Sequence, residues 1–129
     1  MKYEIQMTDA EITAYVDSIR PTAIPSIADA VALGLSDGTR VQIGVLYELV
    51  DADSPDRRSI YGDILKWAVE QGFIECDSEC EGDTKHPWTF VWLTDKGTAD
   101  IARMGTRPAV DPAKADAATR VYRRVFSRP

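Results

Sequence analysis

Five basic side chains are spaced so that they could meet an anionic polymer. Arg57, Arg58 and Lys66 fall in one helical stretch, and Lys85 and His86 lie near a hairpin tip. The arginine fork matches the two acceptors on a guanine edge, and a helix entering a major groove presents its N-terminal side chains to the bases. The plainer alternative makes Arg57 and Arg58 solvated residues of a first helical turn. The helix dipole slightly disfavours arginine there, which adds weight to a contact role.

Charge of the opposite sign follows. Glu75, Asp77, Glu79, Glu81 and Asp83 alternate along the arm leading to the same tip. If the strand continues that far, a period of two puts these carboxylates on one face. Such a face repels phosphate and attracts a basic protein surface; alternatively it solvates a hairpin arm and guards its edge. Cys76, Cys80 and His86 are the only soft ligands in this region. Zinc asks for four ligands in a closed site or three in an open one, and the paired-cysteine spacing is missing, so reduced thiols and no metal or cofactor are expected. With a single histidine, no glycine-rich phosphate loop and no nucleophile motif, no acid–base pair can be assembled. The expectation is therefore no catalytic residue and no enzyme.

Trp88, Phe90 and Trp92 share one strand face, and Thr89, Val91 and Leu93 the other. Aromatics bury large areas, so Trp88 and Trp92 are expected to pack the wing onto the helices, leaving Trp67 as the better contact candidate for a protein partner. Near the C-terminus, Ala118, Val121, Tyr122 and Val125 form an apolar stripe flanked by Arg120, Arg123 and Arg124. That stripe suits a homodimer through the last helix, or packing back onto the acidic body.

The elements that must position these groups fit a chain of 129 residues with ordinary hydrophobic content, enough for one core without disulfides or metal. No apolar run approaches the roughly 20 residues needed to span a bilayer. The first residues lack the apolar stretch of a signal peptide, so a cytoplasmic location without membrane contact is the default expectation. The net charge is −6, unevenly spread. Residues 1–105 hold 19 acidic and 9 basic side chains, whereas residues 106–129 hold 2 and 6. An acidic body disfavours broad nucleic-acid binding, which feeds on phosphate neutralisation, without excluding a local basic reading surface.

Thr8 and Glu11 form a capping-box pattern ahead of Ile12, Tyr15, Val16 and Ile19, and Pro21 ends that helix. Residues 26–35 read as a short helix. A second box, Thr39 to Gln42, reads as opening a helix that carries Ile43, Leu46, Tyr47, Leu49 and Val50. Ser54-Pro55 supplies an N-cap and a proline at the first helical position, and Gly72 a left-handed stop. Phe73 to Cys76 and Trp88 to Leu93 read as paired strands, Thr94 caps a helix to Met104, and Asp111-Pro112 starts the last one. The fold class expected is mainly α with a small antiparallel β-hairpin, winged helix-turn-helix-like. Residues 1–105 are expected to form that domain, with extra N-terminal helices, and residues 106–129 a linker and basic amphipathic C-terminal helix.

On these residues the chain resembles winged-helix transcriptional regulators of the MarR and PadR type. The run from Ile64 to Glu75 resembles the end of a recognition helix passing into the first wing strand. Trp92-Leu93-Thr94-Asp95-Lys96-Gly97 resembles the return strand and the start of the next helix, and Val45 to Val50 resembles the first core helix. The similarity covers about residues 40–104. It implies a small regulator that binds double-stranded DNA through Arg57, Arg58, Lys66, Lys85 and His86. The alternative is an acidic protein-binding module, such as a phage or mobile-element inhibitor, that meets a basic protein surface. One feature departs from the pattern. Such domains place a short helix before the recognition helix, yet only six residues separate Val50 from Arg57. Either residues 26–35 supply the first helix and 40–50 the second, or the middle helix is absent.

Overall fold

The computed structural model describes residues 5–77 and 84–126, except for the side chains of residues 125 and 126. The chain is mainly helical. Its order is α1 (Asp9–Ile19), α2 (Pro25–Ala32), β1 (Val41–Gln42), α3 (Ile43–Leu49), α4 (Pro55–Glu70), β2 (Ile74–Cys76), β3 (Phe90–Leu93), α5 (Asp95–Arg103) and α6 (Pro112–Phe126). No helix among the described residues is long and apolar enough to cross a membrane.

Local chemistry sets most of the boundaries. Thr8 and Glu11 close the reciprocal capping box of α1. Ser54 accepts the Arg57 amide at 3.2 Å and Pro55 opens α4. Gly72, at φ 80°, releases the chain from α4 into β2, a left-handed conformation that costs glycine no Cβ clash. Thr94 caps α5 by accepting the Gly97 amide.

The box at Thr39 does not form. Val41 and Gln42 instead pair antiparallel with β3, Val41 against Val91 and Gln42 against Phe90, and α3 starts only at Ile43. The hairpin is thus part of a three-stranded sheet in the order β1-β3-β2. Strand pairing satisfies several backbone groups here at once, whereas a box would satisfy two.

The middle helix is present. α2 takes the first place and α3 the second, packed between α2 and α6, and α4 follows after a tight corner. Asp51 makes that corner with φ 54°, and the Ala52 amide returns to the Tyr47 carbonyl at 2.9 Å. The short connection suffices because Val45 to Val50 belongs to the second helix of the set and not the first.

Ile27, Val41, Ile43, Leu46, Tyr61, Leu65, Ile74 and Val91 are fully buried where α2, α3, α4 and the sheet converge. The sheet faces the reverse of the way its aromatics suggest. Thr89 and Val91 are buried, whereas Trp88 is 62 % exposed and does not pack onto the helices. Trp92 is half-exposed and donates through Nε1 to Glu75 at 3.0 Å. The branched side chains of Thr89 and Val91 face the core on the side where α2 meets β3, and the wide indoles are left on the outer face.

α1 lies on α4, and its Tyr15 hydroxyl donates to the Val50 carbonyl at 2.9 Å. α6 lies against α3 with Ala118 fully buried. The connection to α6 is held by Arg107, whose Nη1 sits 2.7 Å from Asp29 on α2.

Candidate functional site

The sixteen-residue α4 carries the side chains with the best claim to contact a partner. Its inner face, Tyr61, Leu65 and Ala68, is spent on the core. Arg57 turns toward α1: its Nη1 lies 3.4 Å from Asp53 and 3.2 Å from the Asp51 carbonyl, and its guanidinium sits 4.9 Å above the Tyr15 ring. Arg58 turns the other way. Its Nε donates to the Ala52 carbonyl at 3.2 Å, with the Tyr47 ring 5.8 Å away. Lys66 is exposed on the outer face, between Asp63 and Glu70 at helical spacing.

The descending arm of the wing closes over part of α4. Thr84 is buried and donates to the Gly62 carbonyl at 2.7 Å, the Lys85 carbonyl accepts the Tyr47 hydroxyl at 2.7 Å, and the Pro87 carbonyl accepts the Gly44 amide at 2.7 Å. Gly62 is needed for this approach, because a Cβ there would collide with Lys85 Cγ. Lys85 extends to Asp63, with 2.9 Å between Nζ and Oδ1. His86 packs edge-on against Trp88 at 3.6 Å, and its buried Nδ1 has no hydrogen-bond partner among the described residues.

Of the five basic residues, the fold brings Arg58 and Lys85 to one shallow cleft, which Glu48 and Asp53 also line. Arg57 and Lys66 point elsewhere, so no continuous positive stripe runs along α4. Exposed ion pairs are worth about 0–1 kcal/mol and would not by themselves keep a cation from a phosphate. The interleaved carboxylates Glu48, Asp51, Asp53, Asp63 and Glu70 weigh more, because they set the sign of the local field.

On the wing, the two described carboxylates are engaged within the chain. Glu75 accepts from the Trp92 indole, and Asp77 pairs with Arg40 at 3.2 Å. The Arg40 guanidinium also lies 4.8 Å from the Phe90 ring centre and 5.2 Å from that of Trp92, which makes the outer sheet face a cation–aromatic cluster. Glu79, Glu81 and Asp83, together with Cys80, lie outside the described residues. Cys76 is half-buried against the core.

The stripe on α6 faces inward. Ala118 is in the core, and Val121 and Tyr122 are half-buried against it, so the face expected to join two copies is turned onto α3. The Val125 side chain lies outside the described ones.

One surface escaped the sequence reading. α1 and α4 enclose an open apolar cleft of about 570 Å³ floored by Ile12, Val16, Ile24, Ile60 and Ile64, with Trp67 at its lip and 50 % exposed. Its trace was present in the i, i+4 pairs Ile12/Val16 and Ile60/Ile64. Both pairs read as core-facing, and nothing local says that two helices would leave a gap between their apolar faces. Arg20 and Asp63 are the charged residues of its lining. No family model, no curated protein and no solved structure matches the chain.

Proposed function

We propose that the chain is a winged-helix-like protein-binding module whose acidic body engages a basic protein partner. The observation that carries this reading is the dispersal of the α4 cations. Arg57 is turned to Asp53 and Tyr15, Lys85 to Asp63, and the wing arm covers the helix at Gly62. Duplex DNA is bound largely by neutralising phosphates and releasing their counterions, which needs cations converging on one face. Here carboxylates stand between them, on a chain of net charge −6. The same acidic field accelerates encounter with a basic protein surface.

A second reading keeps a specific observation in its favour. Arg58 and Lys66 are both exposed on α4, and the α3–α4 pair has the helix–corner–helix order that presents a reading helix. It makes the chain a small DNA-binding transcriptional regulator of the MarR and PadR type.

Fluorescence anisotropy with labelled random-sequence duplexes separates the two. The protein-binding reading expects no saturable binding at about 50 mM salt, where nonspecific contacts are strongest. Saturable binding that weakens on Arg58→Ala or Lys66→Ala and falls steeply with added salt would establish the DNA reading in its place.

A further inference from the structure

We infer that the outer face of α6 holds a short acidic segment of a partner protein through Arg120, Arg123 and Arg124. This contact lies apart from the acidic body and does not depend on the reading above. Its ground is a contrast among the described cations. Every described lysine and arginine before α6, Lys66 excepted, meets a carboxylate or donates to a backbone carbonyl, and Lys114 in the first turn of α6 pairs with Asp51. Arg120, Arg123 and Arg124 are exposed and hold no ion pair, hydrogen bond or ring contact among the described residues.

The three arginines form one patch. Ala118, Val121 and Tyr122 turn inward onto α3, and the i, i+3, i+4 spacing gathers Arg120, Arg123 and Arg124 on the opposite side of the helix. The helix dipole favours cations in a last turn, here Arg123 and Arg124, but its effect falls off within that turn and does not account for Arg120. Like charges four residues apart destabilise a helix, and an opposite charge placed between them removes that cost.

Geometry and charge select the occupant. Arg120 and Arg124 are about one turn apart, a rise of about 6 Å. Carboxylates on alternate residues of an extended chain are about 7 Å apart, so a short acidic segment sets two of them against two guanidinium forks. A nucleic acid fits less well, because its phosphates continue past the patch onto Asp116, exposed one turn back, and onto the acidic body. An anionic bilayer asks a surface helix for an apolar face to bury, and α6 has turned its own onto α3. Two copies joined at this face by two-fold symmetry would set arginine against arginine.

The test uses the full chain and two labelled peptides of equal length, one alternating glutamate with serine and the other glutamine with serine. The glutamate peptide is expected to bind saturably, about tenfold tighter than the glutamine peptide, and to weaken as salt is added. The triple variant Arg120→Gln/Arg123→Gln/Arg124→Gln is expected to weaken it about tenfold, whereas Lys66→Gln, a cation lost from α4, leaves it unchanged. Arg120→Lys/Arg123→Lys/Arg124→Lys keeps the charge without the fork and is expected to fall between parent and glutamine variant. Circular dichroism verifies that each variant keeps the fold. Three outcomes overturn the inference: no binding of the glutamate peptide, equal binding of both peptides, or binding indifferent to the three arginines. Duplex DNA or single-stranded RNA bound in preference to the glutamate peptide and released by the glutamine variant would assign the face to nucleic acid and overturn it. Self-association in sedimentation that the same variant abolishes would assign it to a second copy and overturn it as well. Loss of the inference leaves the protein-binding reading to the duplex measurements on Arg58 and Lys66, which probe α4.

Discussion

The hydroxyl of Thr84 donates to the carbonyl of Gly62 at 2.7 Å, and this bond pins the descending wing arm across the middle of α4. It joins the two elements expected to make separate contacts with a partner. A glycine inside a helix ordinarily costs about 1 kcal/mol relative to alanine. At Gly62 that cost accompanies the close passage of Thr84 and Lys85.

Gly62→Ala is therefore expected to lower stability, the reverse of its effect in an open helix. The new Cβ meets Lys85 Cγ and lies 3.3 Å from the Thr84 carbonyl oxygen, so the Lys85 side chain must leave its place and the arm must give by a few tenths of an ångström. A loss of about 1–2 kcal/mol is expected from this overpacking, read from urea denaturation midpoints. A midpoint above that of the parent would mean that the arm does not lie on α4.

The reversed sheet face makes its own forecast. Val91→Ala removes buried methyl groups and is expected to cost about 1–3 kcal/mol. Trp88→Ala removes a far larger side chain from the outer face and is expected to change stability by less than about 0.5 kcal/mol. Comparable losses at the two positions would contradict the assignment of faces.

Ala118→Asp places a charge in the α3–α6 contact, at a fully buried position where desolvation is costly. It is expected to destabilise the chain by about 2–4 kcal/mol. Removing α6 altogether is expected to expose the α3 face and broaden or abolish cooperative unfolding. A truncated chain that melts like the parent would show that α6 is not part of the core.

Alkaline pH tests the buried tyrosines. Burial raises the ionisation of Tyr15 and Tyr61 above the ordinary tyrosine range. Tyr61 donates to the Ala23 carbonyl at 3.1 Å and lies 3.3 Å from the Ser26 hydroxyl. Folding thus holds protons that the unfolded chain releases near its usual pKa of about 10. Their contribution is complete below that pH and is lost progressively as pH rises above it. Denaturation midpoints measured across this range should fall, and the slope should flatten in the Tyr15→Phe/Tyr61→Phe double variant. A slope unchanged by the double substitution would assign the alkaline loss to other groups.

Short-range chemistry was legible in the residues themselves. Thr8 with Glu11, Ser54 with Pro55, Gly72 and Thr94 act on atoms a few positions away, so the boundaries of α1, α4 and α5 follow from neighbours in the chain. The mainly helical class with a small antiparallel sheet was readable for the same reason. The five basic residues could also be named as candidates, but their convergence could not, because Arg57 and Arg58 are adjacent in sequence and point to different helices.

Where two local choices were nearly balanced, only the tertiary structure decided. Thr39 to Gln42 can cap a helix or extend into a strand, and the presence of Val91 and Phe90 alongside made it a strand. Both faces of β3 are apolar, so alternation located the faces without ranking them; the helices packed on the side of Val91 and left the indoles outside. The stripe of Ala118, Val121 and Tyr122 was equally suited to another copy or to this one, and α3 lay within reach. The apolar pairs that line the α1–α4 cleft were visible in the residues, but the cleft depends on how far apart two helices settle. That spacing belongs to the packing of α1 on α4, which no stretch of sequence specifies alone. The wing arm on Gly62 belongs with these: a glycine in a helix signals a close approach, and the fold determines what approaches.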